Sequence, residues 1–160
     1  MWKELISVLT KILDVYKELL ILSKEKRMII VNVKMTELEK IVCQEQIMIA
    51  TIGTLEKQRE SVLTSLLVSE NISTPNKDLL DLVMFCDSST GKKITDIHRQ
   101  FKETLAELET NNKMNNHLIT QALSVVNYNL NILSEASVGS TYASQGQEQV
   151  SKVKRFDYKA

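Results

Sequence analysis

The chain has 160 residues, of which 43% are hydrophobic and 25% are charged, and it contains only four glycines and one proline. Its 20 Lys and Arg side chains balance its 20 Asp and Glu side chains, so no strong field favours binding to nucleic acid or to an anionic membrane. The scarcity of turn residues excludes a sheet protein with many hairpins. We therefore predict one all-α protein that binds no nucleic acid.

The N-terminal segment is amphipathic rather than uniformly apolar, because charged residues interrupt it at Lys3, Glu4, Lys11, Asp14, Lys17 and Glu18. It lacks the uncharged core of a signal peptide, and no stretch reaches the roughly 18 to 20 uncharged apolar residues that a membrane span needs. The two cysteines have neither the density nor the spacing of a disulfide framework. These features predict a cytoplasmic protein without membrane insertion.

A long apolar seam extends from Trp2 to about Leu66, with apolar residues spaced by threes and fours. Only Gly53 interrupts it, so we predict one helix over residues 2–69. The phase of the seam slips near Arg27 to Met35, where β-branched residues crowd together. We interpret the slip as a stutter or a slight bend, with a short strand as the alternative.

The first break is predicted at residues 71–76, where Ser73 or Thr74 can cap the next helix and Pro75 suits its first turn. A short second helix over residues 75–87 is dense in apolar side chains. We expect it to be buried on most sides against the end of the first helix.

A polar turn is predicted at residues 87–91, followed by a third helix over about residues 93–137. Gly139 is expected to end that helix. The composition then shifts to Ser, Gln, Gly and Lys, which predicts a flexible, disordered tail over residues 139–160. Residues 1–138 would form the helical domain.

The lengths of the predicted helices favour a long antiparallel hairpin, or three-helix coiled-coil bundle, in which the second and third helices fold back on the first. Residues 38–66 would meet the short helix and the start of the third helix, and residues 2–19 would face residues 118–133. This arrangement leaves part of the apolar seam thinly covered, as a binding groove or a contact in a possible homodimer.

Four asparagines lie in the middle of the third helix, where such weak helix formers are unusual: Asn111, Asn112, Asn115 and Asn116. Asn112 and Asn115 share a face that is expected to point toward the first helix. They are interpreted either as a polar layer that fixes helix register or as a polar step in a binding groove.

No catalytic constellation is present. His98 and His117 have no carboxylate at metal-ligand spacing, and neither Cys43 nor Cys86 has a histidine at helical spacing. We predict a protein that is not an enzyme and that needs neither a cofactor nor a metal ion.

Three segments carry a resemblance to a known family: Ala50-Thr51-Ile52 with Leu55 to Arg59, then Asn112, Asn115, Leu118 and Ile119, and finally Thr141 to Gln147. In order and spacing the chain resembles the FlgN family of flagellar type III export chaperones. The Tyr-x-x-x-Gly pattern after the asparagine-rich helix is the most specific of these features.

The resemblance implies a cytoplasmic chaperone for the hook-associated proteins FlgK and FlgL. Such a chaperone binds the C-terminal helical regions of its clients, prevents their premature assembly and delivers them to the export gate protein FlhA. The expected client surface is one stripe of the third helix, namely Leu118, Ala122, Val126, Leu130 and Leu133. Tyr142 and Gly146 occupy the positions expected to dock on the gate.

Two other interpretations remain open at this point. The chain is alternatively a structural, homo-oligomeric coiled-coil protein without a client, whose seam pairs with a second copy. Residues 2–22 could also form an amphipathic helix on a membrane surface, although their polar face is mixed in charge rather than basic.

Overall fold

The computed structural model describes residues 1–72 and 79–139, with side chains as far as Ser134. The described residues form three α-helices: α1 is Trp2–Val31, α2 is Met35–Ser69 and α3 is Ser88–Gly139. A short 3-10 helix, Asp81–Phe85, precedes α3. These segments contain no β-strand. The prediction of an all-α helical bundle is confirmed.

The chain divides into two compact units. Met1–Gln121 holds α1, α2, the 3-10 helix and the larger part of α3. The second unit is Ala122–Ala160, of which the structure describes residues 122–139, all of them helical.

The prediction of one continuous helix over residues 2–69 is wrong, because a tight turn separates α1 from α2. Val33 has a φ of 53°, its N–H donates to the Ile30 carbonyl, and the Lys34 N–H donates to the Ile29 carbonyl, each at 3.1 Å. This pair of bonds is the Schellman ending of a helix. The turn is hard to predict from the sequence, because glycine or asparagine normally takes the left-handed position that Val33 occupies here.

The turn lets α1 and α2 pair as an antiparallel hairpin. Leu5, near the start of α1, packs in one cluster with Leu66, near the end of α2. Lys26 and Glu45, at the other end of the hairpin, form an ion pair of 2.7 Å in which both side chains are largely shielded from solvent. Pairing within the chain buries an apolar seam that a single rod would leave exposed on both halves.

The early part of α3 runs parallel to α1. Lys17 Nζ donates to Gln100 Oε1 at 2.7 Å, across a separation of 83 residues, and Arg27 donates to Asn111 across 84. A constant separation along both helices means that they run in the same direction. The prediction that residues 2–19 face residues 118–133 is therefore wrong, because Leu5 and Leu9 pack with Ile97 instead.

The predicted polar turn at residues 87–91 is also wrong, because α3 already begins at Ser88. The Asp87 carboxylate accepts hydrogen bonds from the N–H groups of Ser89 and Thr90 at 3.0 and 3.1 Å. Asp87 is thus the N-cap of the helix, a role for which aspartate is among the preferred residues. Gly91 is buried in the first turns, where a Cβ atom would lie 2.9 Å from a Val83 methyl group.

The second predicted helix, residues 75–87, is replaced in the described residues by the 3-10 helix at 81–85. It is not buried on most sides: Leu82 is 0% exposed, whereas Met84 is 89% exposed. The predicted capping residues Ser73, Thr74 and Pro75 lie outside the described residues, as does the predicted tail from residue 140 onward.

Candidate functional site

The second half of α3 exposes large apolar side chains. Every side chain from Thr120 to Ser134 is exposed. Seven of them are large and apolar, with between 45% and 65% of their surface accessible: Leu123, Val125, Val126, Tyr128, Leu130, Ile132 and Leu133. Seven large apolar side chains exposed within eleven residues of one helix indicate an interaction site rather than ordinary scatter.

The predicted client stripe is divided by the structure. Leu118 is half-buried and belongs to the first unit, whereas Ala122, Val126, Leu130 and Leu133 are exposed in the second. The single-stripe interpretation left out four exposed side chains, Leu123, Val125, Tyr128 and Ile132. A count of all apolar positions by angle around the helix would have found them, because they recur at helical spacing too.

The exposed segment carries no charge. A quarter of the chain is charged, yet residues 118–134 include no Asp, Glu, Lys or Arg. A helix surface that faces water permanently is usually covered with charged side chains, whereas the centres of protein interfaces are depleted in them. The charge pattern therefore favours burial of this surface against a partner.

The same segment is also weak in intrinsic helix propensity. Three asparagines alternate with apolar residues at Asn127, Asn129 and Asn131, and β-branched residues flank them at Val125, Val126 and Ile132. Such residues favour the helix less than Ala, Leu or Glu do. Most helices in proteins draw their stability from packing of an apolar face rather than from propensity, so a partner helix would stabilise this segment.

A buried polar layer connects α1 with the middle of α3. Asn115 is 2% exposed. Its amide nitrogen donates to the Ser23 carbonyl at 2.8 Å and lies 3.4 Å from the Ser23 hydroxyl oxygen. That hydroxyl in turn donates to Asn112 Oδ1 at 3.0 Å. The two predicted asparagines thus meet on one residue of α1, although Asn112 is exposed.

A guanidinium extends this polar layer by one helical turn. Arg27 donates to Asn111 Oδ1, and Asn111 donates in turn to its own helix, at the Glu107 carbonyl, over 2.9 Å. Within the described segments, Arg27 Nε and Asn115 Oδ1 are buried without a hydrogen-bond partner. The polar layer joins two helices at defined positions, because Asn111 and Asn115 each form a hydrogen bond with a residue of α1.

Two titratable side chains near the bundle core, Cys86 and Tyr16, have raised pKa values. Burial, together with the nearby Asp87 carboxylate, raises the pKa of the Cys86 thiol, which disfavours the reactive thiolate. Burial and then the charge of Glu56 raise the pKa of Tyr16, whose ring packs edge-on against Phe101 with centroids 4.9 Å apart. In the described residues, no group of three His, Cys, Asp or Glu side chains could hold a metal ion.

Within the described ranges, no helix combines the length and the apolar character needed to cross a lipid bilayer. The fold and the exposed surface together define an all-α bundle protein whose third helix presents uncharged apolar side chains to solvent.

The family model described as FlgN protein matches residues 1–149. The chain belongs to the FlgN family, as the sequence segments predicted. FlgN is a family of chaperones and not of enzymes, and membership supports a role in flagellar export. No curated protein and no solved structure matches the chain.

Proposed function

We propose that this protein is a cytoplasmic export chaperone that binds the C-terminal helical regions of the hook-associated proteins FlgK and FlgL. It would prevent their premature assembly and deliver them to the export gate protein FlhA. The observation that carries the proposal is the exposed, charge-free apolar surface of α3 between Leu123 and Leu133. Membership of the FlgN family, which suggests binding of flagellar proteins, supports this choice of client.

The physical basis is burial of apolar area. An amphipathic client helix lies along the exposed side chains of α3 and removes both apolar faces from water, at about 25 cal/mol for each Å² buried. The client face that would otherwise assemble too early is covered in the same step. The process is a reversible binding equilibrium, so it requires no nucleotide hydrolysis.

The test places a charge on the apolar surface. Val126→Lys should weaken binding of a fluorescently labelled FlgK C-terminal peptide at least tenfold in an anisotropy titration, because the ammonium group is desolvated without a partner. The matched control is Asn127→Lys, which adds the same charge at the adjacent exposed position and should change affinity less than about twofold. The FlgL peptide is titrated in parallel.

Unchanged affinity for both peptides in Val126→Lys, with an unaltered circular dichroism spectrum, would remove this surface as the client site. Equal weakening in both variants would show that net charge rather than apolar contact controls binding. Either result contradicts the proposal.

Docking on FlhA is assigned to Tyr142 and Gly146, which lie outside the described residues. A tyrosine brings a large apolar ring and a hydroxyl that can form a hydrogen bond, so it suits a small docking contact. Tyr142→Ala should abolish capture by immobilised FlhA while FlgK peptide affinity stays unchanged. Tyr142→Phe retains the ring and should keep most of the capture. Parallel loss of both activities in Tyr142→Ala would refute separate roles for the two regions.

A further inference from the structure

The exposed apolar side chains of α3 form two stripes rather than one. At 100° per residue, the first group falls within one sector of the helix, and we call it the front stripe: Leu123, Val126, Leu130 and Leu133. The second group falls on a different sector, and we call it the back stripe: Val125, Tyr128 and Ile132. The centres of the two stripes are roughly 140° apart around the helix axis.

Polar side chains separate the stripes along one side of the helix, at Ser124, Asn127 and Asn131. Helices pack with their axes 8 to 10 Å apart, so one partner helix contacts the side of α3 that faces it. A partner helix seated on the front stripe therefore leaves the back stripe in water. A helix that is apolar on two sides is typical of a helix enclosed by neighbours.

The exposed areas lead to the same conclusion. The front-stripe side chains are 52% to 65% exposed, which corresponds to roughly 400 Å², about half of what one partner buries in a stable interface. Adding the back stripe, at 45% to 65% exposure, brings the total to roughly 700 Å², close to the usual size. Both stripes together reach the usual size of a stable interface, and one alone does not.

We infer that the client supplies two helices, one against each stripe, and encloses this part of α3 from two sides. The inference rests on the proposed function, since it describes how that client binds. Both client helices present apolar, uncharged side chains, because a charge facing this surface would be desolvated without a counter-charge. A second copy of the chain fits less well, because a two-fold contact pairs like stripe with like stripe and leaves the other stripe uncovered.

Three consecutive residues provide a matched experiment. Leu130 lies on the front stripe, Ile132 on the back stripe, and Asn131 between them, and all three are exposed. Leu130→Lys, Asn131→Lys and Ile132→Lys are each titrated by calorimetry with full-length FlgK and with a synthetic peptide of its C-terminal helix alone. Circular dichroism of each variant confirms its helix content, and sedimentation velocity reports the state of each variant without client.

We expect Leu130→Lys and Ile132→Lys each to weaken binding of full-length FlgK at least tenfold. Asn131→Lys should change that affinity less than twofold. The single-helix peptide should lose affinity for Leu130→Lys and not for Ile132→Lys, because Leu130 lies on the same front stripe as Val126.

If Ile132→Lys binds full-length FlgK like the unmodified protein and Leu130→Lys does not, the second helix is refuted while the client surface stands. If both bind normally, the proposed function itself fails. If both variants weaken binding of the single-helix peptide, one helix spans both stripes. An unliganded dimer dissociated by Ile132→Lys would assign the back stripe to a second copy. Both of these last results overturn the inference.

Discussion

The amide nitrogen of Asn115 in α3 donates a hydrogen bond to the main-chain carbonyl of Ser23 in α1, 2.8 Å away and 92 residues distant in sequence. The contact is buried, so neither group can exchange its partner for water without opening the helix interface. It identifies one position at which the parallel alignment of α1 and α3 is specified by a directional bond rather than by apolar packing alone.

Asn115→Ala should lower the free energy of unfolding by about 2 kcal/mol, because it removes a buried hydrogen bond and leaves a cavity. Urea denaturation followed by circular dichroism measures the change. Asn116→Ala is the matched control at the next, exposed position, where we expect a change within about 0.5 kcal/mol. If both substitutions lower the free energy of unfolding equally, the polar layer does not stabilise the packing of α1 against α3.

Val33→Asn should raise the free energy of unfolding by about 1 kcal/mol. Val33 occupies the left-handed region, with a φ of 53°, which is unfavourable for a β-branched residue and tolerated by asparagine. Its side chain is 71% exposed, so little packing is lost. Val31→Asn, at an exposed position inside α1, is the control and should give no gain. A loss of stability in Val33→Asn would indicate that the valine side chain stabilises the turn by contacts that outweigh its strain.

Gly53→Ala should stabilise the protein by about 0.5 to 1 kcal/mol. Gly53 lies in the interior of α2, where glycine is a poor helix former. A Cβ atom placed there would have no neighbour within 4 Å, in contrast to Gly91. Thermal unfolding of Gly53→Ala beside Gly91→Ala measures the comparison, and we expect the second variant to be the less stable. An equal gain at both positions would contradict the close approach of Val83 to Gly91.

Asp87 should make stability depend on pH in acid. The Thr90 hydroxyl, followed by the N–H groups of Thr90 and Ser89, holds the pKa of this carboxyl below its ordinary value of 3.8. A lowered pKa in the folded state means that the contribution is complete above 3.8 and is lost as the pH falls through the lower, folded value. Asp87→Asn keeps a capping oxygen but does not titrate, so its stability relative to the unmodified protein should improve as the solution is acidified.

The comparison of Asp87 with Asp87→Asn isolates this effect from other carboxylates. The pKa values of Asp96 and Glu109 are also lowered, chiefly by hydrogen bonds from Arg99 and Lys113, and they titrate equally in both proteins. Asp87→Ala should be less stable than both at neutral pH, since it loses the cap as well. A constant difference between Asp87 and Asp87→Asn from neutral to acid pH would contradict the lowered pKa.

The body of α3 and the end of α2 could be predicted because both depend on neighbours in sequence. The apolar spacing carries a helix through residues 93–137, and α2 ends at Ser69, just before Asn71, which adopts the left-handed conformation with a φ of 49°. Asparagine is a usual residue for that position. The start of α3 was placed too late because Ser88, Ser89 and Thr90 resemble a loop until Asp87 is recognised as their cap.

By itself, the sequence determined the helical class, the family segments and the uncharged apolar end of α3, since periodicity, composition and short motifs are local properties. Only the tertiary structure decided that the chain turns at Val33, that α3 runs parallel to α1, and that Asn115 meets Ser23. Those features follow from the free energy of burying one apolar seam against another and of pairing buried polar groups across the bundle. That free energy is large enough to hold Val33 in a left-handed conformation that valine by itself disfavours.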